Sequence, residues 1–304
     1  MNTAVQQASF AHVLADYLTL LKLRIASFVG LAAFVGGLLG ADQGVSILRI
    51  VEASFWITLS AGAASAFNQI IECDTDRLMD RTRNRPLPAG RISLREAFVF
   101  AAVLMLASVA AIALRFNLLT ASLVLATLVA YALVYTPLKR VSTFNTVVGA
   151  LPGAAPPLLG YAALAGRVDA WGWALFAILF VWQFPHFMAI AWLYRHDYAR
   201  AGLRMLPGAA GGERVAGKTA VMYGLVLLPV SMVPFVSGGA GIVYGAGVFA
   251  LGLCYCAASM RFAWRQDRAT ARTLLLVSLV YLPLVLVLVV FDPATAVLAT
   301  HFSR

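Results

Sequence analysis

Asn68, Glu72, Asp76 and Asp80 recur every four residues in the stretch NQIIECDTDRLMDRTRNRPLPAGR, which runs from Asn68 to Arg91. Each four-residue step turns a helix by about 400°, so the set drifts only about 40° per step and shares one face. Asp74 falls on nearly the opposite face from Glu72. Acids at this spacing repel unless something neutralises them. Arg77, Arg81 and Arg85 lie close enough in sequence to do so, which alone would make the stretch a salted helix end. Two features favour a site instead. The stripe leads into the stiff segment RPLPAG, the mark of a shaped loop. Asn68 also sits a turn inside an apolar run, SFWITLSAGAASAF, where polar groups are costly and usually functional. Oxygen-only ligands favour Mg²⁺ over Zn²⁺, and Mg²⁺ typically shares its shell with substrate phosphates. The arginines nearby can hold a diphosphate by paired hydrogen bonds. The chain has no G-x-x-x-x-G-K-[ST] loop, so a nucleotide hydrolase is unsupported.

A second polar constellation is FVWQFPHFMAIAWLYRHDYARAGLRMLP, where Asp197 follows an apolar run. On a continuous helix His186 would lie about 20° off the face of Asp197 and about 16 Å deeper. Two roles are open to His186: a hydrogen-bonded packing residue, or a ligand or base facing a buried cavity. A third element, YALVYTPLKRVSTFNT, sets Tyr131, Tyr135 and Lys139 one turn apart. Alone this is a membrane-interface anchor; beside two acid motifs it gains a phosphate-binding reading. Lys22 and Arg24 can contribute in the same way.

The rest of the chain dictates where these residues sit. Of 304 residues 62% are hydrophobic and only 12% charged, with a mean hydropathy of +0.85. A soluble domain is about half apolar and about a quarter charged. A helix needs about 20 residues to cross the hydrocarbon. Spans are predicted at 25–41, 50–70, 97–115, 118–136, 144–165, 172–193, 219–237, 242–262 and 273–291. Nine spans put the termini on opposite sides. Nineteen of the 23 Lys and Arg then share the side of the N-terminus, and only Arg49, Arg115, Arg167 and Arg304 take the other. Positive charge stays cytoplasmic, so the N-terminus is expected inside and the C-terminus outside. An eight-span arrangement would break this alternation. The net charge of +10 therefore reflects topology, and no nucleic-acid partner is expected. Cys73, Cys254 and Cys256 form no CxxC pair and no disulfide framework. MNTAVQQASFAHVLADYLTL reads as neither a cleavable signal nor a transit peptide. The expected fold is all-α, a polytopic membrane protein whose nine-helix bundle carries a cavity open toward the cytoplasmic side. It reads as a single domain over 1–304 with a short tail at 1–20.

Metal ligands from two helices, several cations and an apolar cavity on one side suit a substrate with a diphosphate head and a long apolar tail. A prenyl diphosphate has that form. Cations would stabilise the departing diphosphate. Aromatic faces, with Phe67, Tyr131 and Tyr135 as candidates, would stabilise the allylic cation.

In these residues the chain resembles the UbiA-type intramembrane prenyltransferases, from Lys22 to about Asp292. The resemblance is carried by NQIIECDTDRLMDRTRNRPLPAGRIS, YTPLKRVSTFNTVVGALPGAAPPLLGY and WQFPHFMAIAWLYRHDYARAGLRMLP. The first is characteristic of the superfamily, and the other two point to its heme-farnesylating branch. The resemblance implies Mg²⁺-dependent transfer from farnesyl diphosphate to a vinyl group of heme B, with addition of water to give heme O. It implies the lipid bilayer as surroundings, and a heme A synthase or terminal-oxidase assembly machinery as downstream partners. The superfamily's Asn-x-x-x-Asp-x-x-x-Asp motif falls on Asn68, Glu72 and Asp76, with Glu72 keeping the carboxylate where Asp is usual. The second motif retains Asp197, with Ala201 in its last place. By resemblance Asn68, Glu72, Asp76 and Asp197 are the metal and catalytic residues. Arg81, Arg85, Lys139 and Arg140 would hold diphosphate, and His186 would contact heme. Two other readings use the same residues: prenylation of an aromatic quinone precursor, and, in a different class, transport of an anionic lipid or metabolite.

Overall fold

In hydrocarbon every backbone N–H and C=O must find its partner within its own segment, so long apolar runs cross as helices. The structure, a computed structural model, describes residues 10–208 and 212–295. Its described residues form helices and turns with no strand. A short helix α1 (Phe10–Leu21) precedes α2 (Leu23–Gly40), α3 (Ile47–Ile71) and the five-residue α4 (Cys73–Arg77). Next come α5 (Leu94–Arg115) and α6 (Leu118–Val129), the latter continued by a π-helical turn (Ala130–Tyr135) and α7 (Thr136–Leu138). Then follow α8 (Asn145–Ala165), α9 (Ala170–Leu193), α10 (Arg195–Arg200), α11 (Gly212–Val236), α12 (Ile242–Arg265) and α13 (Arg268–Phe291). Nine helices among the described residues are long and apolar enough to cross a membrane. They match the nine expected spans, and the third and fourth are parted by Phe116 and Asn117 alone. Half of the segment read as a tail is helical: α1 is tied down where Arg91 clasps Asp16 at 2.9 Å.

Local chemistry sets the ends of the spans. Ser93 and Glu96 form a reciprocal capping box on α5, and Asp267 with Thr270 does the same for α13. Asn117 caps α6 through Thr120 N–H, and its amide donates to the carbonyls of Ala162 and Ala163 at the end of α8. Gly166 ends α8 in the left-handed conformation that glycine adopts freely.

The spans α2, α3, α5, α6, α8 and α9 bring the same end of the bundle to loops 72–93, 139–144 and 194–208. Lys22 joins them there, ahead of α2. At the opposite end Glu52 binds Arg115 at 2.7 Å and Arg49 at 3.1 Å. Helix α8 is the most enclosed span, 72% buried, against 22% for α5. Its tightest partner is α2. A Cβ built on Gly36 would collide with the Pro157 carbonyl oxygen, and one on Gly160 with that of Ala33. Small residues that admit this approach are how helices associate when lipid removes the hydrophobic drive. Three prolines, Pro152, Pro156 and Pro157, sit inside α8.

Backbone collisions cannot be relieved by a rotamer change. Gly36→Leu and Gly160→Leu are each expected to destabilise the bundle by about 3 kcal/mol or more. The measure is the yield and thermal midpoint of monodisperse protein in detergent, and parental values would refute the claim.

Candidate active site

Asn68 lies on the last turn of α3 and Asp76 on α4. The helix changes direction at Glu72 (φ −92°, ψ 4°), yet the four-residue ladder survives. Glu72 N–H donates to Asn68 C=O, and Asp76 N–H to Glu72 C=O, at 2.9 and 2.8 Å. Asn68, Glu72 and Asp76 therefore stay on one stripe, each under 9% exposed. The expected fourth member, Asp80, does not join them. Helix α4 ends at Arg77, and the turns that follow carry Asp80 to the surface, where it pairs with Arg200 at 2.6 Å and Arg83 at 3.3 Å. Asp74 faces solvent beside Arg77.

Each member of the stripe holds a cation from a different segment. Lys22 Nζ donates to Asn68 Oδ1 at 3.1 Å. Lys139 Nζ reaches Glu72 Oε1 at 2.8 Å, and Arg85 Nη1 reaches Asp76 Oδ2 at 2.7 Å. Asp76 Oδ1 is buried with no hydrogen-bond partner among the described residues. Lys22 occupies the left-handed region (φ 50°) in the break between α1 and α2. Its position is held from behind, since Gln69 Nε2 donates to Leu20 C=O at 2.8 Å. Burial, then the cations Arg85 and Lys139, pull the Lys22 ammonium down to about 7. For Lys139 burial works against the charge, but Tyr135 and Glu72 outweigh it and the pKa rises.

The second motif reaches the same end on a separate piece of helix. Helix α9 stops at Leu193, Tyr194 breaks the geometry, and α10 carries Asp197. The helix is therefore not continuous from His186 to Asp197, and the shared face that continuity would give them lapses. Asp197 binds Arg200, which bridges to Asp80. Arg81 stacks on Tyr194 at 4.7 Å and Tyr198 at 5.9 Å. Ala201 is buried with Met79 and Leu203, so the departure from an acid there serves apolar docking of the two loops. Among the described residues no three His, Cys, Asp or Glu side chains converge as a metal cage.

The other expected contacts divide. Tyr131 and Tyr135 lie 5.4 Å apart, and Lys139 Nζ sits 4.4 Å from the Tyr135 ring centre. Arg140 donates to Ile71 C=O at 3.0 Å, capping α3. Arg24 is exposed at the start of α2. His186 stacks on Trp182 and hydrogen-bonds Ser278 at 2.7 Å, between α9 and α13. One buried residue escaped the sequence reading. Thr136 accepts from Asn68 Nδ2 at 3.0 Å; only the π-helical turn before it, which has no periodic signature, brings it there.

An apolar cavity of about 150 Å³ begins beside Lys22, the cation held by Asn68 of the stripe. Lys22 and Tyr131 line its upper part, and Ser65, Ala64, Ala61, Ser60 and Ile57 of α3 line its wall. From Ser65 to Ile57 the wall runs for about 12 Å at helical rise. Pro152, Gly153 and Pro156 of α8 face it. His186 lies outside this lining.

Residues 29–282 match the UbiA prenyltransferase family. The chain is 40% identical over 286 residues to the protoheme IX farnesyltransferase of Solibacter usitatus (strain Ellin6076), covering 91% of this chain and 98% of that one. It is 39% identical to the protein of the same name from Koribacter versatilis (strain Ellin345), covering 95% and 96%. Among solved structures, a digeranylgeranylglyceryl phosphate synthase superposes with TM-score 0.77 at 18% identity, covering 93% of this chain and 98% of that one. A UbiA homologue from Archaeoglobus fulgidus, bound to GPP and Mg²⁺, gives 0.67 at 20% identity, covering 90% and 99%. With the matched segment taking in most of the nine spans and both polar motifs, the chain belongs to the UbiA prenyltransferase family.

Proposed function

We propose that this protein transfers the farnesyl group of farnesyl diphosphate to a vinyl group of heme B, water adding to give heme O. The observation that carries this reading is the buried stripe Asn68, Glu72 and Asp76 at the mouth of an apolar cavity, with a cation on each member. The name of the relatives in Solibacter and Koribacter supports the choice of donor and acceptor.

Magnesium fits the residues present. All the donors are oxygens, and the unpartnered Asp76 Oδ1 is a buried atom that is costly to leave without a cation. The GPP and Mg²⁺ bound by the Archaeoglobus fulgidus homologue support the same choice. Asn68, Glu72 and Asp76 would hold the ion, with Asp197 as the contribution of the second motif; once bound it would neutralise charge on the departing diphosphate. Lys22, Arg85 and Lys139 would exchange their carboxylate and amide partners for phosphate oxygens. Arg81 shares the loop of Arg85 and stacks on Tyr194 and Tyr198, while Arg140 serves the site by holding the end of α3. The farnesyl tail would lie along the wall from Ser65 to Ile57. Ionisation breaks the bond between the allylic carbon and the diphosphate oxygen, and both electrons leave with diphosphate. Tyr131 lines the cavity with Tyr135 packed beside it, and their rings would face the resulting cation. The vinyl π electrons form the new carbon–carbon bond. Positive charge moves to the vinyl carbon next to the porphyrin, where water adds and loses a proton. Apolar walls keep water from the farnesyl cation until then.

By the positive-inside rule the end bearing these loops faces the cytoplasm. The N-terminus lies inside and the C-terminus outside, in a bacterial inner membrane. One domain spans 1–304, and its product would pass to a heme A synthase or terminal-oxidase assembly machinery.

Membranes given farnesyl diphosphate with either heme B or 4-hydroxybenzoate are expected to yield a farnesylated product from heme alone, read by mass spectrometry. Product from the aromatic acid alone would move the protein to the quinone branch. Asp76→Asn is expected to lower kcat/KM by about 10²-fold or more while the protein stays folded in the membrane; near-normal turnover would count against the metal role. In a cysteine-free background, Arg83→Cys should react with an impermeant maleimide in inverted vesicles and stay protected in spheroplasts. The reverse pattern would invert the topology.

A further inference from the structure

The fourth span changes helix type as it nears the site. The π-helical turn Ala130–Tyr135 ends at Thr136, whose hydroxyl donates to Tyr131 C=O, five residues back, at 2.8 Å. Such turns occur frequently at functional sites. A threonine hydroxyl has one proton, and here it is committed to a backbone carbonyl. The oxygen can therefore only accept from its other neighbour, and that neighbour is Asn68 Nδ2 at 3.0 Å. Both residues are 1% exposed, so water does not substitute for either partner.

An asparagine amide has a donor end and an acceptor end of nearly the same shape, and only the hydrogen-bond network decides which way it points. With Nδ2 held against Thr136, Oδ1 faces the other way, toward Lys22 and the mouth of the cavity. Glu72 and Asp76 need no such device, because a carboxylate presents oxygen in either orientation. Lys22 also requires an oxygen, but it is the group that would leave Asn68 when the site fills. We infer that Thr136 is a positioning residue: it fixes the Asn68 amide so that oxygen rather than nitrogen faces the metal and diphosphate site. This inference rests on the function proposed above.

The test uses the full-length protein, titrated with Mn²⁺ in the presence of farnesyl diphosphate. Bound ion is read by electron paramagnetic resonance, alongside KM and kcat. Thr136→Val keeps the volume but removes the acceptor. Its dissociation constant for Mn²⁺ is expected to rise by about tenfold, and the KM for farnesyl diphosphate with it. Thr136→Ser keeps the hydroxyl and should remain within about twofold of the parent. In an Asn68→Asp background the effect of Thr136→Val should shrink to under about threefold, since orientation no longer matters. Thr136→Ala, which cannot overpack, carries the same expectation should the valine variant not fold. Equal Mn²⁺ binding by the parent and the valine or alanine variant would overturn the role of Thr136 and leave the metal site standing. So would equal weakening by serine and valine. Absence of saturable Mn²⁺ binding by the parent would overturn both.

Discussion

Buried acids at the edge of a lipid phase cannot remain unpaired, and in this chain that constraint organises one whole end of the bundle. Glu72 and Asp76 are each under 9% exposed. An uncompensated buried charge costs several kcal/mol, so each must find a cation. The sequence offers none on the same helical stripe. The cations come from elsewhere: Lys139 from the loop after the fourth span and Arg85 from the loop before α5, with Lys22, from before the first span, set on Asn68. Satisfying one stripe thus recruits cations from as far as 67 residues along the chain from their partner.

Those segments are held in place by hydrogen bonds to backbone carbonyls and by apolar contacts, with no ion pair among them. Gln69 secures the end of α1, Arg140 caps α3, and Arg204 N–H donates to Lys139 C=O at 2.8 Å. Met79, Ala201 and Leu203 seal the two acid-bearing loops against each other. Below them the close approach of α2 and α8 through Gly36 and Gly160 fixes the frame of the cavity. The small side chains of α3, from Ser65 to Ser60, leave the room that larger ones would fill. An apolar void therefore sits directly beneath a charged mouth, the arrangement required by a ligand with an anionic head and a hydrocarbon tail.

Interruptions of helix matter as much as the helices. The breaks at Lys22, Glu72 and Tyr194 and the π turn at Ala130–Tyr135 all fall at the same end of the bundle. Each redirects a short segment toward the polar cluster. Regular helices would have carried Asp80 down the stripe and aligned Asp197 with His186. Instead Asp80 pairs with Arg200 at the surface, and His186 lies against Ser278.

The nine spans, and their alternation about a basic side, could be read from residue order alone. Transfer from water to lipid is a sum over neighbouring side chains, and capping by Ser93, Asn117 and Asp267 is equally local. The stripe of Asn68, Glu72 and Asp76 was legible for the same reason, since backbone bonds four residues apart fix their common face. What the sequence could not disclose were the partners. That Lys139 meets Glu72, that Arg140 serves a helix end, and that Thr136 reaches Asn68 depend on how separate helices lie against one another. Ion pairs and hydrogen bonds fall off within a few ångströms, so only the tertiary structure decides which of many distant polar groups come within reach.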